Sequence, residues 1–437
     1  MLGRGHGHVR EARADAGADT RADTRADTRA DTRAEASGVA KRPGVTRRSF
    51  VVGSAAATAA TAVALNLSGC GDDGAKKVTG EPQVITDESK VVDVTDDYKN
   101  QDCTLQASAS WDLPLGCVPF HCEGDWAALM QAPESARSVN TLGILSLASG
   151  TRTTLVDRPS QGSAFSFYDV RCSAQVFAWV EMSYATGDWV LLAQPLQNGA
   201  LQGKPKKIDS GNADWEPARF AATGDSVIWQ KMPLATGSKR SETSHCNRWR
   251  VGDKEPRVLC ESVGRFATWP RISDGTLTIA PRVNNDEGVF YGITAYDLSS
   301  EKMVDQLVMP QNVSPFEAVY MGDSFAFSVE ANYQSGGVLG KMGTFIGREG
   351  GPFVFLSREP LACVMGKGST YLIKAQSSHF VVDTKAETYS VLVAPDKALG
   401  YGDYPASEGV TDRAVTYATV RGDNGLPAAV RVRAFGL

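Results

Sequence analysis

The stretch GDSVIWQ at 224–230 decides how this chain is read. A Gly-Asp turn opens a run of β-prone residues, Val227, Ile228 and Trp229, as a strand does when it leaves a tight turn. The same rhythm returns as GDWAALM at 124–130, AQVFAWV at 174–180, DGTLTIA at 274–280, GDSFAFS at 322–328, GSTYLIK at 368–374 and DRAVTYA at 412–418. The equivalent apolar position falls at Leu129, Trp179, Trp229, Ile279, Phe327, Ile373 and Tyr417, at intervals of 50, 50, 50, 48, 46 and 44 residues. Near-constant spacing of this length marks a repeat architecture.

A second β run, polar turn and β run follows each anchored segment, as in 144–156, 293–308 and 380–393. One unit is therefore a four-stranded meander, the unit of a β-propeller blade. A single blade cannot bury its faces, whereas a closed ring can. The spacing predicts an all-β chain with a β-propeller over 81–437, built as seven four-stranded blades. The last unit ends at AAVRVRAFGL one strand short, and PQVITDESKVVDVT at 82–95 offers spare β-prone sequence. The expectation is that this N-terminal strand closes the ring and covers an open sheet edge. DWEPARFAATGDSVIW at 214–229 resembles the W-x-P…G…W/F rhythm of TolB-like and WD-type propeller repeats. That resemblance implies the fold and no activity.

Upstream lies TRRSFVVGSAAATAATAVALNLSGC at 46–70. Its 18 uncharged residues are close to the minimum for a membrane span, but Ala, Thr, Ser and Gly dominate them. A basic head, an apolar middle and small residues at the end have the layout of an export signal. TRRSF, with Arg47, Arg48 and Phe50, resembles a twin-arginine (Tat) signal, and LSGC at 67–70 resembles a bacterial lipobox. The resemblance implies passage through the Tat translocon, cleavage before Cys70, lipidation of Cys70 and an extracytoplasmic protein attached to the cell membrane. Two acyl chains suffice for stable attachment. Residues 1–45, with the repeat ADTRADTRADTRADTRA at 18–34, cannot bury a core and read as a disordered leader. Residues 46–69 read as the signal peptide and 70–80 as a polar tether.

Of 45 Lys/Arg and 50 Asp/Glu, 11 and 7 precede Cys70, which leaves 34 and 43 in the mature part. An acidic chain without basic runs argues against nucleic acid as a partner. Seven cysteines remain beyond Cys70. An extracytoplasmic site permits disulfides. Cys246 and Cys260 flank the turn VGDKE symmetrically and are expected to face each other across a hairpin; Cys117 and Cys122 form a second candidate pair. His121, between them in CVPFHC, lacks the spacing and partners of a metal site.

No G-x-S-x-G elbow, H-E-x-x-H or EF-hand loop is present, and no cofactor motif is visible. What stands out is a set of aromatics ahead of several blades: Phe167, Trp215, Trp269, Phe316 and Tyr404. Packing between blades accounts for such residues. A ligand-holding ring near the central funnel would use Trp215, Trp269 and Tyr404, with Glu216 and Arg271 as polar contacts. The sequence therefore points to a binding or scaffolding propeller for an unnamed protein or small molecule, without a cofactor. A hydrolase or lyase acting on sugar or peptide is the competing class. A cluster of buried Asp, Glu, Arg and His at one funnel mouth would favour the enzyme.

Overall fold

The computed structural model describes residues 80–437, apart from 136, 137, 284–287 and 401. The twin-arginine residues Arg47 and Arg48, Phe50, Cys70 and nearly all of the tether lie outside the described residues. Among the described residues no helix is long and apolar enough to cross a membrane.

The chain is an all-β β-propeller. Six of its sheets are each built from one run of chain, at 117–156, 166–211, 219–262, 271–308, 317–356 and 365–392, and are called blades 1 to 6 below. In each, four successive strands run antiparallel from the centre outward. Every repeat anchor lies on the second strand of its sheet. Leu129, Trp179, Trp229, Ile279, Phe327 and Ile373 are all buried, as is Tyr417 in the remaining sheet. The period in the sequence is therefore the period of the ring, because each anchor packs into the space between adjacent blades. The buried Trp179 and Trp229 indoles donate to Glu181 and Asp209 at 3.0 and 2.7 Å, so neither ring leaves its N–H unpaired.

The chain forms six such blades, which corrects the expectation of seven four-stranded blades; the remaining sheet closes the ring. It is composite, in the order Tyr404–Pro405, Arg413–Arg421, Pro427–Gly436, Ala107–Pro114. Its inner strand is only two residues long, because the chain then leaves the sheet. Its outer strand comes from the N-terminal side and pairs antiparallel with the last strand, from Ala107↔Phe435 to Pro114↔Ala429. An N-terminal strand does close the ring, but it is 107–114 and not 82–95. Within 82–95, Val91–Asp93 instead adds a parallel fifth strand to the edge of blade 5. Leu113 is buried in the core below the composite sheet, whereas Val91, Val92 and Asp93 are only half-buried on an edge.

The disulfide expectation is also corrected. All seven described cysteines are free thiols. Cys246 and Cys260 do face each other as register partners on adjacent strands. Both are buried in an apolar cluster with Leu277, Phe290 and Tyr296, which pushes the Cys260 thiol up to about 11. Cys117 and Cys122 share one strand, Cys117–Glu123, and do not pair.

Candidate functional site at the propeller axis

The first strand of each blade lines the axis. Counting back 8 to 10 residues from each anchor in blades 1 to 5 lands on His121, Arg171, Arg219, Arg271 and Glu317. These lie on the innermost strands Cys117–Glu123, Ser166–Cys172, Arg219–Thr223, Arg271–Ser273 and Glu317–Tyr320. The repeat thus places a polar or charged side chain on the innermost strand of five successive blades, opposite the residue before the anchor for His121, Arg171 and Arg271 and opposite the residue after it for Arg219 and Glu317.

The centre is not an open channel. After Pro405 the chain crosses the axis through residues 406–411. The Ala406 carbonyl accepts from Cys122 N of blade 1 at 2.9 Å. Val410 N donates to Ser273 Oγ of blade 4 at 2.9 Å. Gly409 and Thr411 N–H donate to Val364 and Gly366 carbonyls, and Gly409–Val410 pairs parallel with the inner strand of blade 6. Gly409 has φ +66°, and a Cβ there would stand 2.6 Å from Ser273 Cβ. Only glycine fits both the left-handed backbone and the close approach.

The plug brings Glu408 to Arg271. The Arg271 guanidinium bonds Glu317 through Nε at 3.0 Å and Nη2 at 2.7 Å, while its Nη1 bonds Glu408. Burial opposes the charge on Arg271, but Glu317 and Glu408 outweigh it and hold the group well above its ordinary value. Burial likewise opposes ionisation of Glu408, yet Arg271, His121 and Arg171 hold its carboxyl below the usual range. Beside this lies a second network. Glu216 takes Arg219 Nε at 2.8 Å on one oxygen and Arg265 on the other. The Glu216 carboxyl is held down by those two cations against its own burial. Trp269 joins the networks: Arg171 and Arg219 lie over its ring at 5.5 and 5.8 Å. Arg171 also bonds Asp169 beside it.

His121 Nδ1 is 3.2 Å from the Cys172 carbonyl. Burial, then repulsion from Arg171 and Arg271, pushes the imidazole down to about 4, although Glu408 pulls the other way. His121 is therefore neutral near pH 7, and Nδ1 carries the proton that it donates to that carbonyl.

Of the five residues expected to line a ligand site, Glu216, Trp269 and Arg271 meet at the axis. Trp215 does not. Its carbonyl accepts from Trp189 Nε1 at 3.1 Å, and Lys231 and Lys239 lie over its ring, each at 5.6 Å. Tyr404 packs on Tyr417, with the Lys374 ammonium 5.3 Å from its ring centre. The aromatic signal missed His121, Arg171, Arg219, Arg265, Glu317 and Glu408. They are three arginines, two glutamates and one histidine, and they fall in no contiguous motif. Repeat phase, counted back from the anchors, would have found four of the six.

No known family profile and no curated protein sequence matches the chain. Solved structures do resemble it. A prolyl endopeptidase aligns at TM-score 0.48 and 13% identity, over 70% of this chain and 46% of its own. The β-propeller domain of the trilobed protease from Pyrococcus furiosus aligns at 0.47 and 10%, over 74% and 95%. An oligogalacturonate lyase from Vibrio parahaemolyticus aligns at 0.42 and 10%, over 76% and 98%. The chain spans about half the length of the prolyl endopeptidase. The sheet topology described above, and not these distant likenesses, makes the chain a β-propeller.

Proposed function

We propose that the chain is an exported lipoprotein, held outside the cell membrane by lipid on Cys70, whose propeller binds a small-molecule or protein partner. The Tat translocon would carry it already folded. The observation that supports binding rather than catalysis is the pairing of the axial charges. Asp169 is matched by Arg171, Glu216 by Arg219 and Arg265, and Glu317 and Glu408 by Arg271. Carboxyl catalysis needs one acid whose pKa is raised beside one that stays ionised. Here Glu216 and Glu408 are both held ionised, and Glu123, whose carboxyl burial pushes up, bonds Thr223 Oγ1 and Gly224 N and no second carboxylate in these networks. Such networks fix geometry and present a rigid surface.

One observation favours the hydrolase or lyase reading: a neutral histidine stands beside arginines. His121 is hydrogen-bonded to a backbone carbonyl, however, and not to a nucleophile. Two experiments test the proposal. Fatty-acid labelling of cells should mark the wild type and not Cys70→Ser, and Arg47→Lys with Arg48→Lys should stop export. Equal labelling of Cys70→Ser would overturn the anchor. A photo-crosslinking amino acid at Trp215, which is half-exposed beside the axial networks, should give a discrete adduct in cells. No adduct there would overturn the binding reading.

A further inference from the structure

The plug and the residues around it point to a ligand class. Glu408 is the only acid on the crossing segment 406–411. Its carboxylate meets groups from three blades: Arg271 by direct ion pair, and His121 and Arg171 by charge. Its side chain is 10% exposed and that of Arg271 is 14% exposed, so the pair sits in a nearly dry setting where charge-assisted bonds are strong. The segment that carries Glu408 is held by backbone bonds to blades 1 and 6 and by Ser273 of blade 4. Arg271 supplies a planar guanidinium bonded to the carboxylate, and the charges of Arg171 and His121 add a field that favours an anion at that place.

We propose that Arg271, Arg171 and His121 form a carboxylate-binding pocket that the chain's own Glu408 fills in this structure. The proposal rests on the binding reading above and specifies its ligand as a carboxylate that competes with Glu408. Arg271 keeps Glu317 as a permanent counter-ion through Nε and Nη2, which leaves Nη1 as the exchangeable donor. An incoming carboxylate would take over that one bond and the field of His121 and Arg171. The step exchanges one anion for another and needs no covalent change.

Chemical rescue tests this on the purified full chain, with acetate as the probe. Acetate replaces the atoms that Glu408→Ala removes. The variant should melt below the wild type, and acetate should raise its midpoint saturably, while acetamide at the same concentration should not. The double variant Glu408→Ala with Arg271→Gln should lose the rescue. Glu261→Ala, which removes an exposed partner of His245, should show no acetate effect. An equal rise with acetamide, in Glu261→Ala or in the double variant would overturn the pocket. If Glu408→Ala does not fold, Glu408→Gln decides the matter by NMR. Losing the carboxylate should move the His121 titration further down, and an unmoved titration overturns the assignment. Failed rescue with crosslinking at Trp215 intact would sink the carboxylate pocket and leave the binding proposal standing.

Discussion

Two arcs of the propeller rim are finished differently. From blade 4 to the composite sheet, the outer edge is covered by a strap formed by the N-terminal segment. Gln83 N donates to the Val308 carbonyl at the edge of blade 4 at 3.0 Å. Val91–Asp93 pairs with blade 5, Lys99–Asn100 with blade 6 and Ala107–Pro114 with the composite sheet. The outer strands of blades 1 to 3, Arg152–Val156, Lys206–Gly211 and Arg257–Ser262, have no such cover among the described residues. The covered and bare edges differ in composition. Blade 5 ends in Phe353–Leu356, which is FVFL and largely buried. The bare edges begin with exposed Arg152, Lys207 and Arg257, and Pro205 and Pro256 precede two of them. Charge and proline blunt an edge that nothing covers. An apolar edge strand needs a partner, and the strap supplies it.

The sharpest way to break this comparison is to remove the closing strand. Deleting 107–114 strips the last strand of its partner and Leu113 from the core beneath it. Loss of a cooperative thermal transition is expected, since blades share one ring of contacts. Deleting only 80–101 leaves closure intact and should lower the midpoint without abolishing the transition. Equal midpoints for the wild type and the shorter deletion would show that the strap covers without stabilising.

Acid should weaken both arcs, because each holds a buried histidine. His121 falls from 6.5 to about 4 in the folded chain, so the unfolded state binds the proton more readily. The stability it contributes at neutral pH is lost as pH falls through 6.5 toward 4, at a cost of roughly 3 kcal/mol. His379, buried where blade 6 meets the composite sheet, is depressed too. Burial is the largest cause there, Lys374 and Arg433 add to it, and Asp403 opposes. It loses stability in the same direction below 6.5. His121→Gln should flatten part of the dependence of denaturant midpoint on pH between 7 and 4. An unchanged slope would mean that the imidazole is not buried neutral.

Within the strap, Val94 is fully buried against Val319, Ile346 and Tyr371. Val94→Ala should cost on the order of 2 kcal/mol by denaturant unfolding. Faster amide exchange should then appear along Phe353–Leu356, and exchange elsewhere alone would place the strap's grip outside blade 5. The smallest effect is expected at Lys341, whose exposed ammonium meets Glu88 of the strap at 3.1 Å. Lys341→Ala should leave the melting midpoint nearly unchanged, because exposed pairs contribute little. A clear drop would make this exposed pair part of the strap's grip. On the bare arc, Lys207→Val should leave the midpoint alone and raise aggregation, read by light scattering.

Much of the fold was legible because a repeat prints its period into the sequence. Leu129, Trp179, Trp229 and their four equivalents must each be apolar, since each faces a neighbouring blade. Most positive-φ positions in the turns between them are glycines, as at Gly275 beside Asp274. Those are local demands, and the sequence by itself determined them, along with the missing last strand and the N-terminal origin of its replacement. What only the tertiary structure decided involves residues far apart in the chain. Two N-terminal segments of similar β propensity, 91–93 and 107–114, went to an edge and to the closure, because only the second brings Leu113 to a buried position. Cys246 and Cys260 meet as the hairpin required, yet as thiols in an apolar core. The axial site assembles His121, Arg171, Arg271 and Glu408 from across nearly 290 residues. His121, Arg171 and Arg271 recur at the repeat spacing, but Glu408 sits on the segment that crosses the axis, so its pairing with Arg271 is a property of the closed ring.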